Sequence, residues 1–218
     1  MARRLRGPCA LRVLGAGRGA VHLDLRGFVV TLTAPGVPRM PNGIAVAGPL
    51  PAAPRVAWDP LAPPLWDPVV PPLAGGPAQV RELAAWLAAR TSPPDVGPAD
   101  AADRLMGRGP GLTPEGDDVL CGAAVGVRAL APAAGLAPER ADALVAALLP
   151  PSAGRTGALS ATLLGLAAGG AAPEPVTRLV APGAREAALA DLRRLGSSTG
   201  AALAAGLALA ARWLTAPA

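Results

Sequence analysis

The chain has 218 residues, enough to bury a real core in one domain or two small ones. Its 20 basic residues are all Arg and stand against 15 acidic ones, for a net charge of +5. With no Lys there is no P-loop lysine, no Schiff base and no Lys general base; the single His22 excludes a multi-histidine metal site.

The arginines are scattered, with no basic stripe and few aromatic rings between them, so nucleic-acid binding is not expected. Abundant Ala, Gly, Pro and Arg reflect GC-rich codons before function. Cys9 and Cys121 have neither zinc-motif nor disulfide-framework spacing, and a reducing, cytoplasmic compartment is the expectation. The start, MARRLRGPCALRVLGAGRG, has a basic head, but Arg12 and Arg18 interrupt the apolar core that a signal peptide needs. TGALSATLLGLAAGGAAP and LGSSTGAALAAGLALAAR owe their apolar character to Ala and Gly, and read as buried helices of a soluble bundle rather than membrane spans.

GAVHLDL (19–25) alternates, with Val21, Leu23 and Leu25 on one face and His22 and Asp24 on the other. Arg26-Gly27 offers a turn, and FVVTLT continues with Phe28, Val30 and Leu32 in phase. This predicts a hairpin with one wet face, on which His22 is a surface strand residue. GIAVA (43–47) and RVAW (55–58) are weaker strands. Proline excludes regular helix from 49 to 77, which predicts an irregular connector across the sheet, anchored by Trp58 and Trp66.

After Pro77 the period becomes helical: QVRELAAWLAAR (79–90) puts Val80, Leu83 and Leu87 on one face. Further helices are predicted at 99–106, about 114–130, about 138–149, 155–168, 184–195 and 198–214. The fold class is α+β, an N-terminal antiparallel β subdomain followed by a C-terminal helical bundle. The expected domains are 1–76, β-rich with the proline-rich connector, and 77–218, helical.

GRGPGLTPEGDD (107–118) is the stretch composition does not explain. Thr113 suits an N-cap, Pro114 the first helical position and Glu115 the positive end of the dipole. Gly107, Gly109 and Gly111 let several N–H groups point at one spot, so Gly109, Gly111, Leu112, Thr113 and Gly116 are candidate anion-binding positions, with Arg108 as a forked donor. Asp117 and Asp118 are candidate catalytic residues on the first turn and a half. Adjacent helical residues diverge by about 100°, which favours one Asp facing the ligand and one bracing the structure. A divalent metal such as Mg between the aspartates and the ligand is another arrangement, and an Asp that accepts N–H bonds from the amide end of a substrate whose charged end meets the loop is a third. Gly122 and Gly126, four apart, let another helix approach, within one chain or across a homo-oligomer contact, and Cys121 is core. Ser197-Ser198-Thr199-Gly200 follows a C-capping Gly196 and opens the last helix as a second anion-compatible end.

GPGLTPEGDD resembles the signature of the AllH-type oxamate carbamoyltransferase subunit family. Thr156 and Ser160 match that family's Thr-x-x-x-Ser segment, with Ala167, Gly169 and Glu174 following in order, and LGSSTG (195–200) matches its late turn. GAVHLDL and PNGIAV resemble its N-terminal strands. Family members often carry His after the glycine of the late turn, where this chain has Ser197, and chemistry depending on that His would be altered or lost. The resemblance implies carbamoyl transfer between carbamoyl phosphate and oxamate in purine-nitrogen catabolism, beside other carbamoyltransferase subunits. In that version the 109–113 loop and Arg108 hold phosphate, Asp117 or Asp118 handles the accepting nitrogen, and Ser198 and Thr199 bind the accepting carboxylate, while Thr156, Ser160, Ser197 and Gly200 complete the small anionic substrate's site. The alternative is a non-catalytic ligand-binding or assembly subunit of a hetero-oligomeric enzyme, and a third reading is a purely structural helical module.

Overall fold

The structure is a computed structural model that describes residues 9–17, 19–50, 55–56, 66–152 and 154–216. Trp58 and residues 51–54 and 57–65 of the proline-rich connector lie outside the described residues. The N-terminal part is a four-stranded sheet, β2 (Arg12–Ala16), β3 (Ala20–Leu25), β4 (Phe28–Thr33) and β5 (Gly43–Ala45), in that order. A two-stranded ladder joins β1 (Cys9–Ala10) to β6 (Arg55–Val56).

The β3–β4 hairpin forms where the alternation predicts it. Arg26 and Gly27 both take left-handed φ, 52° and 82°, which matches a two-residue turn to the twist of the strands. The sheet is nevertheless mixed, because β5 runs parallel to β4.

The face expected to be wet is turned inward. Thr31 and Thr33 are buried, and Val29 packs into the helical core while its N–H donates to Thr162 Oγ1 at 2.9 Å. On the other face Val21, Leu23 and Leu32 pack with Leu11, Ile44, Val46 and Leu50, and Leu25 and Val30 with Phe28. Period-2 alternation sorts side chains into two faces but does not say which face meets the rest of the protein.

Among the described residues eight helices follow: α1 (Pro77–Ala88), α2 (Ala101–Leu105), α3 (Glu115–Ala134), α4 (Pro138–Leu148), α5 (Ala158–Ala168), α6 (Glu174–Val180), α7 (Arg185–Arg193) and α8 (Thr199–Thr215). Seven answer to predicted helices. The eighth, α6, is only seven residues long and too short to show a period; Pro175 in its first turn suits a helix start. None of the helices among the described residues is long and apolar enough to cross a membrane. The described end of the connector is stitched to the helical body rather than across the sheet: Leu73 N–H donates to Ala129 O at 2.8 Å, and Val70 N–H to Gly170 O at 3.0 Å.

The centre of the helical part is the α3–α8 pair, joined through small residues. A Cβ on Gly122 would fall 2.1 Å from Leu203 O, and one on Gly206 only 2.0 Å from Val119 O. The backbones therefore meet without side chains between them, and α8 is the partner that the Gly122–Gly126 spacing calls for. This contact matters for the site because α3 carries Asp117 and Asp118 and α8 begins at Thr199.

Candidate functional site

The loop ahead of α3 owes its glycines to backbone shape. Gly107, Gly109 and Gly111 have φ of 71°, 110° and 101°, a region side chains disfavour. A Cβ on Gly107 would also collide with Arg155 O at 2.2 Å, and one on Gly109 would reach Glu115 N at 2.9 Å. Helix α3 starts one residue later than its sequence suggests, with Pro114 as N-cap and no side-chain cap. Its first amides are already engaged: Gly116 N–H donates to Arg108 O at 2.9 Å, and the N–H groups of Asp117 and Asp118 donate to Pro114 O. Gly116 has a packing role as well, since a Cβ there would meet Leu105 O at 2.0 Å.

The two aspartates have separate surroundings. Asp117 is 1 % exposed and both its oxygens accept hydrogen bonds, Oδ1 from Gly107 N–H at 2.7 Å and Oδ2 from the Thr156 hydroxyl. It ties the first glycine of the loop to the start of α5. Asp118 is 2 % exposed, and its Oδ2 has no partner among the described residues. Burial pushes the Asp118 carboxyl up to about 7; hydrogen bonds from Thr199 and Thr113 pull the other way, and the charges of Asp117 and Glu115 add to the rise. Thr113 is thus not a cap. Its Oγ1 lies 3.2 Å from Thr199 Oγ1, joining the Gly-rich loop to the late turn.

Two cavities flank this junction. One, of about 480 Å³, lies between the sheet and the helices; Gly111, Leu112 and Thr113 line it from the loop, Ser197, Ser198 and Thr199 from the late turn, and His22 and Thr31 from the strands. Arg194 also lines it, with its guanidinium 3.5 Å from the Asp191 carboxylate. The other, about 590 Å³, opens on the far side and takes Arg108, Gly109 and Gly116, together with Arg90, Arg193 and Glu115. The sequence-predicted residues are therefore divided between two cavities. Asp118 and Thr199 also line a void of about 20 Å³ beside Cys121, a space on the scale of a single water. Thr156 is committed to Asp117, while Ser160 is buried with its hydroxyl unpartnered among the described residues. Gly200 is a packing residue, where a Cβ would fall 1.6 Å from Leu192 O.

Among the described residues no three His, Cys, Asp or Glu side chains group so as to hold a metal. Both oxygens of Asp117 accept hydrogen bonds from within the protein. Cys121 is free and buried in the core, and burial beside Asp118 and Asp117 holds its thiol well above the usual range.

His22 is a cavity residue, although the strand alternation puts it on the surface. It is half-buried on β3, with Nδ1 3.0 Å from Thr31 Oγ1, and burial lowers its pKa. Nothing in the local alternation reveals this, because it follows from the inward turn of the sheet. Arg194 escapes sequence reasoning in a similar way, being an ordinary charged residue at the end of α7 until that end meets the cavity.

No curated protein and no solved structure matches the chain. The stretch that carries α3, α8, the aspartates and the late turn does have a match. A family model described as oxamate carbamoyltransferase subunit AllH matches residues 105–211, so this stretch is similar to the family that its Gly-rich opening resembles.

Proposed function

We propose that this chain binds the carbamoyl acceptor of an oxamate carbamoyltransferase in the 480 Å³ cavity, with Asp118 as the proton acceptor behind it. The observation that carries the reading is the Thr113–Thr199 hydroxyl contact, which joins the loop and the late turn over a buried carboxyl with one unpartnered oxygen. A carboxyl near 7 can take up and release a proton at neutral pH, whereas one at its ordinary value is a weak base.

In this reading the carboxylate of oxamate meets the hydroxyls of Ser197 and Ser198 and the Arg194 guanidinium. Its amide nitrogen lies toward Thr113 and Thr199. As that nitrogen bonds to the carbamoyl carbon, the carbon–oxygen bond to phosphate breaks. The nitrogen's proton passes to Asp118, directly or through the Thr199 hydroxyl. Positioning and fixed dipoles supply the rest. Arg108 and Gly109, on the opposite cleft, take no part in acceptor binding. The donor, carbamoyl phosphate, is brought by or shared with the other subunits that a subunit family implies.

The test is thermal unfolding of the purified chain with oxamate, oxalurate, phosphate and carbamoyl phosphate, each with and without magnesium. A ligand at a hundred times its dissociation constant adds about 2.7 kcal/mol to the native state. A shift with oxamate or oxalurate that Asp118→Asn or Thr199→Val abolishes supports the reading. A shift only with phosphate moves the site to the donor, and no shift with any ligand overturns acceptor binding by this chain alone. Binding without turnover supports a ligand-holding subunit whose chemistry is completed by a partner.

A further inference from the structure

The polar groups of His22, Thr31 and Asn42 form a chain with a direction, of which His22 and Thr31 line the cavity. His22 on β3 stands opposite Thr31 on β4, and Nδ1 is 3.0 Å from Thr31 Oγ1. The same hydroxyl lies 2.9 Å from Asn42 Nδ2, which also faces the Val29 carbonyl at 3.0 Å. A carbonyl oxygen only accepts, so the Asn42 atom facing it is the amide nitrogen, and this sets the amide's orientation. Its second N–H is then given to Thr31 Oγ1.

Thr31 is 1 % exposed, and His22 Nδ1 is the only acceptor for its hydroxyl proton among the described residues. If Nδ1 carried a proton instead, two donors would point at Thr31 Oγ1 and the hydroxyl proton would be stranded in a buried site. Buried donors are rarely left so. The arrangement therefore runs from Asn42 N–H to Thr31 O–H to His22 Nδ1, and leaves the imidazole proton on Nε2. Burial, which disfavours the imidazolium, acts in the same direction.

We infer that His22 is a ligand-binding residue, a neutral imidazole held in one tautomer by Thr31 and Asn42, whose Nε2–H donates to an oxygen of a small carboxylate or amide in the 480 Å³ cavity. This rests on the reading of that cavity as the acceptor site, and adds a wall from outside the 105–211 match. A neutral donor suits a cavity that Arg194 also lines, because the ligand's charge has a cationic residue beside it. The imidazole fixes the position of one ligand oxygen, and the hydroxyls of Ser197 and Ser198 receive the rest of the ligand.

The chain's one histidine makes the test direct. In the 15N-labelled full chain at neutral pH, the imidazole nitrogens are expected to report protonated Nε2 and bare Nδ1. The opposite tautomer, or a mobile mixture of both, overturns the inference before any ligand is added. Oxamate and oxalurate are then titrated as probes. The Nε2–H resonance is expected to move on binding. His22→Gln, which keeps an N–H donor near that position, should bind within a few fold of the parent, whereas His22→Phe should bind at least tenfold more weakly. A His22→Phe chain that unfolds like the parent and binds as tightly overturns the role of His22 while the cavity reading stands. So does binding to the parent that moves other resonances and leaves Nε2 untouched. Binding of neither probe to the parent overturns the cavity reading and the inference together.

Discussion

The hydroxyls of Thr113 and Thr199, 86 positions apart in the chain, lie 3.2 Å from each other, and both pull the pKa of the Asp118 carboxyl down against its burial. This contact brings the Gly-rich loop and the late turn into one site. Thr199→Val keeps the shape and removes one donor. It should raise the Asp118 pKa further and destabilise the chain by about 1 kcal/mol, the usual size of one hydrogen bond. Denaturant unfolding at several pH values measures both effects.

The Asp118 carboxyl sets a pH dependence of stability with a definite sign. It titrates near 3.8 in the unfolded chain and at about 7 in the folded one. Between those values the unfolded chain has lost its proton while the native state keeps it, so rising pH favours unfolding. The contribution is full below 3.8 and is lost as pH climbs to about 7. Its upper bound is on the order of 4 kcal/mol. Asp118→Asn should remove that fall, and the difference between the two pH–stability curves isolates it from other groups.

Asp117 is expected to behave as a brace. Thr156→Val and Asp117→Ala should each destabilise the chain by about 1–3 kcal/mol, since each leaves a buried polar group without its partner. A double-mutant cycle should return a coupling of about 0.5–3 kcal/mol, and additivity would show that the contact contributes nothing.

The α3–α8 contact predicts opposite outcomes for two glycines. Gly206→Ala puts a methyl 2.0 Å from Val119 O and should cost about 1–3 kcal/mol or more as the helices separate. Gly165, exposed on α5, has nothing within 4 Å of its added Cβ, so Gly165→Ala should stabilise by about 0.4–1 kcal/mol. Urea unfolding of the two variants decides both.

Cys121 is expected to resist alkylation at neutral pH until the chain unfolds. Burial and the nearby aspartates hold its thiol protonated, and the thiolate is the reactive form. Peptide mapping after iodoacetamide treatment in native buffer and in denaturant separates it from Cys9. Native labelling of Cys121 as fast as of a free thiol would show that α3 opens.

Local features of this chain are legible in the sequence because they act over a few residues. The β3–β4 hairpin follows from strict alternation around a turn that Arg26 and Gly27 can make. The long helices follow from their apolar period, and the start of α3 from Pro114 and Glu115, displaced by one residue. Gly122 and Gly126 announce a close helix partner because only a missing Cβ permits such an approach. The short α6 is not legible, since seven residues with a proline carry no readable period.

The amino-acid sequence by itself determined an α+β chain with a glycine-rich loop entering a helix at two aspartates, and it carried the family motif now matched over residues 105–211. Only the tertiary structure decided which aspartate is committed and which is left with an open oxygen, because adjacent helical residues point apart into different neighbours. It also decided that Arg108 and Gly109 line a cleft separate from that of Gly111 to Thr113, in a loop whose glycines take left-handed φ. His22 joins the cavity for the same kind of reason. Alternation makes a strand two-faced, and the packing of the sheet on the helices determines which face meets the ligand.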